Sequence, residues 1–140
     1  MEAKVRSTSD QIQIFDRIRK KFVPLTPEEW VRQHLISNLI VRYNVIESRI
    51  MVESEIKYGK VKKRPDIAVI NSDGSTWLIL ECKAASVTLD QSTWQQTFTY
   101  GSVLKPSFMG ISNGLQHIFA GLQPDTENFV FMNELPNYTI

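Results

Sequence analysis

Residues 76 to 82, "TWLILEC", constrain the fold more than any other stretch of this chain. The core of the run is apolar on both faces once strand alternation is applied, which is the pattern of a central strand covered on both sides. A glutamate enters at its last pleat, where burial is costly unless the charge is paired or bound to metal.

The neighbouring segments supply the rest of a layered fold. "PDIAVI" precedes the run and is joined to it by "NSDGS", a turn with Asp73-Gly74 at its tip. Further upstream "RIMVESEIKY" alternates apolar and charged residues, so the three segments read as an antiparallel meander. "TPEEWVRQHLISNLIVRY" carries a helix-start signal: Thr26 as N-cap, Pro27 behind it, and Glu29 placed to complete a capping box. Leu35, Ile36, Leu39, Ile40 and Tyr43 then gather on one face, which should meet the sheet. "DQIQIFDRIRKKF" has helical spacing in Ile14, Ile18 and Phe22, and the reading taken is helix. A second helix is expected over "LDQSTWQQTFTYGSVL", and two or three strands over "SFMGIS", "LQHIFAG" and "NFVFMNEL". This order predicts an α/β (α+β) fold, a mixed central sheet containing the meander and flanked by helices.

With 140 residues, 42% of them hydrophobic and 22% charged, the chain is expected to form a single domain over 1–140. No run is long enough to span a membrane and the N-terminus lacks a signal-peptide build, so no membrane partner and a cytoplasmic location are expected. Cys82 has no disulfide partner, and no Cys/His spacing suggests zinc. The net charge is only +1, but all 16 basic residues precede residue 106. Lys57, Lys60, Lys62, Lys63 and Arg64 form a basic run without an acid, which reads equally as a solvated loop or a phosphate-contacting surface.

That run leads into Asp66. If Asp73 and Gly74 are the central residues of a tight turn, antiparallel pairing places Asp66 directly opposite Glu81, and like charges so placed repel. A divalent cation shared by the two carboxylates would offset the repulsion. Strand alternation puts Lys83 on the same face as Glu81. Ordinary charges at fraying strand ends are the bland explanation, but the burial of "WLILEC" favours a site. Two acids, a cation and a lysine suit phosphodiester hydrolysis, with Lys83 stabilising charge or orienting water.

"PD", fourteen residues, then "ECK" resembles the PD-(D/E)xK nuclease superfamily, the restriction-endonuclease-like fold. With "LTPEEWVRQ", "KRPDIAV", "LILECKA", the Gln96–Tyr100 spacing of "QQTFTY" and "ISNG", the chain resembles the N-terminal nuclease domain of type I restriction endonuclease motor subunits over roughly residues 12 to 120. The resemblance implies a Mg²⁺-dependent DNA endonuclease, with Mn²⁺ as substitute. Asp66, Glu81 and the backbone carbonyl of Cys82 would hold the metal, Lys83 would be the catalytic lysine, and Glu29 would complete the metal site or serve as the cap partner of Thr26. Gln96 and Tyr100 would position water or DNA beside them. Arg32 lies at the centre of the core-facing arc of its helix, where it would pair with Glu29 or border the site; Arg32, Gln33, Lys62, Lys63 and Arg64 would contact DNA.

Motor subunits of that kind carry ATP-driven domains, whereas this sequence has no G-x-x-x-x-G-K phosphate loop, so no nucleotide cofactor is expected. DNA is the expected partner, with a second copy of the chain or separate restriction-system subunits alongside. A non-catalytic DNA-binding or assembly module of the same fold is the alternative.

Overall fold

The computed structural model describes residues 3–139. Its core is a six-stranded sheet built from β4 (Ile50–Val52), β7 (Ile67–Ile70), β8 (Thr76–Cys82), β9 (Phe108–Ser112), β10 (His117–Leu122) and β11 (Phe129–Met132), in the spatial order β11-β10-β9-β8-β7-β4. All neighbours are antiparallel except β8 and β9, which run parallel. A parallel pair needs a crossover, and helix α2 (Gln91–Ser102) provides it. The expected mixed sheet with an antiparallel meander, β4-β7-β8, is therefore the fold observed. β8 is central, and Leu78, Ile79 and Leu80 are almost completely buried.

Helix α1 (Pro27–Tyr43) covers one face. Thr26 caps it by accepting the Glu29 N–H at 3.1 Å, and Asn44, in the left-handed conformation, closes its C-terminus. Its buried Leu35, Ile36, Leu39 and Tyr43 pack with Ile67, Val69, Leu78 and Leu80. Ile79 and Ala68, which point the other way, pack with Leu104 just beyond α2, and Met109 and Ile111 pack with Trp94 of α2. The two helices thus lie on opposite faces of the sheet.

Two expectations need correction. Residues 10–22 are not helical: β2 (Ile12–Asp16) and β3 (Lys21–Pro24) form a hairpin that, with β1 (Val5–Ser7), makes a separate three-stranded sheet. The alternation that buries Ile14 prevails over the helical spacing, and buried Asp16 organises the turn by accepting the N–H groups of Ile18 and Arg19. "RIMVESEIKY" is likewise not one strand. It breaks at Glu53, whose φ of 49° is left-handed, and resumes as β5 (Ile56–Tyr58), which pairs with β6 (Val61–Lys63) in its own hairpin.

Candidate active site

The loop between β7 and β8 does not have the expected two-residue turn. Asn71 N–H bonds to the Ser75 carbonyl, closing a five-residue connection over residues 71–75 with Gly74 at φ 88°. A bulge compensates: Ile70 faces Thr76, but Val69 faces Leu78, so β8 carries one extra residue. From there Ala68 faces Ile79 and Ile67 faces Leu80, which brings Asp66 opposite Glu81. The pairing expected at the acids is restored because the bulge cancels the odd loop length.

Asp66 Oδ2 accepts the Cys82 N–H at 2.8 Å, tying one acid to the strand that carries the other. In an extended strand the N–H and C=O of a residue point to the same side, so the Cys82 carbonyl faces the Asp66 side as well. Glu81 is half-buried, and its Oε1, itself buried, has no hydrogen-bond partner among the described residues. Burial, and then the adjacent Asp66 carboxyl, push Glu81 up from the ordinary 4.5 to about 9, with Lys83 pulling the other way. Two facing acids, one with an orphaned buried oxygen, are the donor set expected where a cation binds. Among the described residues no three His, Cys, Asp or Glu side chains form a metal-binding cluster. Mg²⁺ does not require one, since it is commonly held by one or two carboxylates with waters and substrate phosphate.

Glu81 and Lys83 line a cleft of about 260 Å³ together with Gln96, Thr97 and Tyr100 of α2. The i, i+4 spacing puts Gln96 and Tyr100 on one helix face, and that face is turned to the acids. Burial, Glu81 and Asp66 raise the Tyr100 phenol, whose oxygen accepts the Arg64 N–H at 2.9 Å. Thr97, which was not singled out from sequence, is buried in the same wall. A polar residue between Gln96 and Tyr100 was its only signal. Cys82 is no candidate nucleophile: burial and the nearby Asp66 push its thiol well up.

Glu29 is placed differently from a ready ligand. Its carboxylate accepts from Arg32 Nε at 3.0 Å and Nη2 at 2.7 Å, from Arg19 at 2.9 Å and from Gln33 at 3.0 Å. It therefore does not close the capping box, because the Thr26 N–H goes instead to the Pro24 carbonyl. Burial works to raise its pKa, but Arg32, Gln33 and Arg19 outweigh that and hold it below the usual carboxylate value. The network continues to the acids: Arg32 Nη1 reaches the Asp66 carbonyl at 3.5 Å, which also accepts the Glu53 N–H at 3.3 Å. Arg19 binds Asp16 and Glu53 as well. These partners come from three separate elements, and no local pattern marked Arg19 or Glu53.

The residues expected to contact DNA divide accordingly. Arg32 and Gln33 are buried and spend their donors within the protein, Gln33 on Glu29 and Arg32 on Glu29, Glu53 and the Asp66 carbonyl, so they do not present a surface to a phosphate. The Arg64 guanidinium donates twice to the Glu53 carbonyl, and Lys63 lies 5.0 Å from the Tyr100 ring centre. Lys62 is exposed.

The family model described as the type I restriction enzyme R protein N terminus matches residues 27–136. A solved fragment structure, assigned as an HsdR subunit of a type I restriction enzyme from Vibrio vulnificus YJ016, superposes with a TM-score of 0.53 at 19% identity. The match covers 81% of this chain and 24% of that one, so the present chain spans about a quarter of the solved relative. No curated protein sequence matches. No helix among the described residues is long and apolar enough to cross a membrane.

Proposed function

The chain belongs to the family of type I restriction enzyme R protein N termini, and on that premise we propose that it is a Mg²⁺-dependent DNA endonuclease of the PD-(D/E)xK type. The observation that carries this reading is the pairing of Asp66 with Glu81, the latter bearing a buried oxygen with no partner among the described residues and lining a cleft with Lys83. Asp66, Glu81 and the Cys82 carbonyl would hold the ion. A bound Mg²⁺ supplies Lewis acidity, making a water more acidic and offsetting charge on phosphoryl oxygens.

The protein's own groups do the rest. The Cys82 N–H fixes the Asp66 carboxylate, and the Arg32 and Glu53 bonds to its carbonyl fix its backbone, so the acid is held before substrate arrives. Lys83 brings an ammonium to the same cleft, where its donors stabilise the charge that grows on the phosphoryl group or orient the attacking water. Gln96 and Tyr100 provide polar groups on the opposite wall for water or a backbone phosphate. Glu29 contributes through Arg32, as a positioning residue.

Incubation of the purified protein with supercoiled plasmid in Mg²⁺, Mn²⁺ or EDTA tests this. Nicking or linearisation with metal, absent in EDTA and lost in Asp66→Ala and Lys83→Ala, is expected. Cleavage that survives both substitutions would remove the site from the account; no cleavage by the unsubstituted protein with either metal would favour a DNA-binding module of the same family.

A further inference from the structure

We propose that the β5–β6 hairpin is a DNA-backbone contact beside the acids, with Lys57 and Lys62 as a paired phosphate site. The proposal rests on the nuclease reading above and extends it to the surface that holds the substrate. Tyr58 faces Val61, which leaves Gly59 and Lys60 as a two-residue turn, Gly59 at φ 60°. Ile56 and Val61 pack against Ala68, Ile79 and Leu104, so one face of the hairpin is turned to the protein. Ile79 shares its strand face with Glu81, so the hairpin lies on the same side of the sheet as the acids.

The other face carries Lys57 directly opposite Lys62. Cβ atoms so placed are about 4.5 to 5.5 Å apart, and two ammonium groups there repel. The surroundings relieve this at one lysine only. Lys57 has Glu55 at 3.5 Å, and among the described residues neither Lys60 nor Lys62 has an acidic partner within 4.0 Å. A like-charged pair on a solvent-facing hairpin is stabilised by an anion lying between its members. The hairpin is also fixed to the cleft: Lys63 lies over the Tyr100 ring, and the Arg64 N–H bonds to the Tyr100 oxygen.

Both positions lie within reach of one continuous nucleic-acid backbone. Lys62 is four positions before Asp66, so their Cα atoms are at most about 14 Å apart. That is about four nucleotides of rise along one strand of a duplex. A strand whose scissile phosphate sits at Asp66 and Glu81 passes the lysine pair a few phosphates away.

The test is fluorescence anisotropy with a labelled DNA duplex in EDTA, where binding is read without cleavage, over a series of salt concentrations. Lys57→Ala/Lys62→Ala is compared with Lys20→Ala/Lys105→Ala, which removes the same charge from exposed positions elsewhere. The hairpin variant is expected to bind about tenfold more weakly at moderate salt and to lower the slope of log K against log salt by about 1.8, two contacts at about 0.9 each. Lys57→Arg/Lys62→Arg retains binding. Melting temperatures check that each variant is folded. A hairpin variant that binds with the affinity and slope of the charge-matched control overturns the proposal. So does hairpin-dependent binding to phosphatidylserine vesicles or to single-stranded RNA that exceeds binding to the duplex. Plasmid cleavage separates the two readings: cleavage by the unsubstituted protein with no hairpin effect on binding refutes the hairpin alone, and hairpin-dependent binding without cleavage refutes the nuclease alone.

Discussion

Replacing Glu81 with glutamine should stabilise the metal-free protein, and by an amount that depends on pH. The reasoning starts from the Glu81 carboxyl, pushed from 4.5 to about 9 by burial and by Asp66. Between these values the folded state holds a proton that the unfolded state has released, so wild-type stability falls as pH rises through the window. At pH 7 the penalty is about 3 kcal/mol, the cost of keeping a proton from its ordinary titration up to neutrality at about 1.4 kcal/mol per pH unit. Glutamine keeps the shape and has no proton to lose. For a chain of this length each kcal/mol moves Tm by roughly 3 to 4 °C, so Glu81→Gln should melt about 10 °C above wild type at pH 7 in EDTA. The gap should shrink toward zero near pH 4.5 and widen toward pH 9. Thermal melts in EDTA across this range measure it. A Tm difference that does not change with pH, or a variant less stable than wild type at pH 8, would refute the reasoning.

Two other substitutions probe what supports the site. Glu29→Gln leaves Arg19 and Arg32 facing a neutral group in a largely buried network, and should cost about 3 to 5 kcal/mol in a denaturant titration at neutral pH. Because Glu29 titrates below its ordinary value, that stabilisation is present above the ordinary value and is lost as pH falls through the folded one, so the variant and wild type should converge in acid. Gly110→Ala should cost about 1 to 3 kcal/mol, since an added Cβ would lie 2.7 Å from Phe119 Cδ1 and 2.9 Å from Leu80 Cδ1, both in the core; urea unfolding checks it.

The parts of the fold visible in the sequence were those in which local pattern and burial agree. "TWLILEC" could only be a central strand, and Thr26-Pro27 could only open a helix, because each stretch satisfies its own backbone and its neighbours by the same arrangement. The pairing of Asp66 with Glu81 was legible for a subtler reason. Its register came from a turn that is not the one present, and the bulge beside Trp77 returned the strands to the same alignment. Strand faces leave little alternative, because a slip of one residue would turn Ile67 and Val69 away from α1, which they pack against. Residues 10–22 misled because Ile14, Ile18 and Phe22 fit helical spacing while the deciding term, burial of Asp16 beneath its own turn, depends on tertiary structure. The ion network is illegible for the same reason. Arg19, Glu29, Arg32 and Glu53 come together only after the hairpin, helix and sheet have packed. Glu29 shows the consequence: its pairing with Arg32, three residues on along the same helix, was readable, but Arg19, which reaches it from the β2–β3 turn, was not.

The central claim is that Asp66 and Glu81 form one cation site, and the most direct measurement is a Mn²⁺ titration followed by electron paramagnetic resonance, in which bound ion loses the signal of the free hexaaqua form. The account predicts one site per chain in the wild-type protein, competed by Mg²⁺ and lost in both Asp66→Asn and Glu81→Gln. Mn²⁺ binding that persists unchanged in either variant, with both proteins folded, would contradict it.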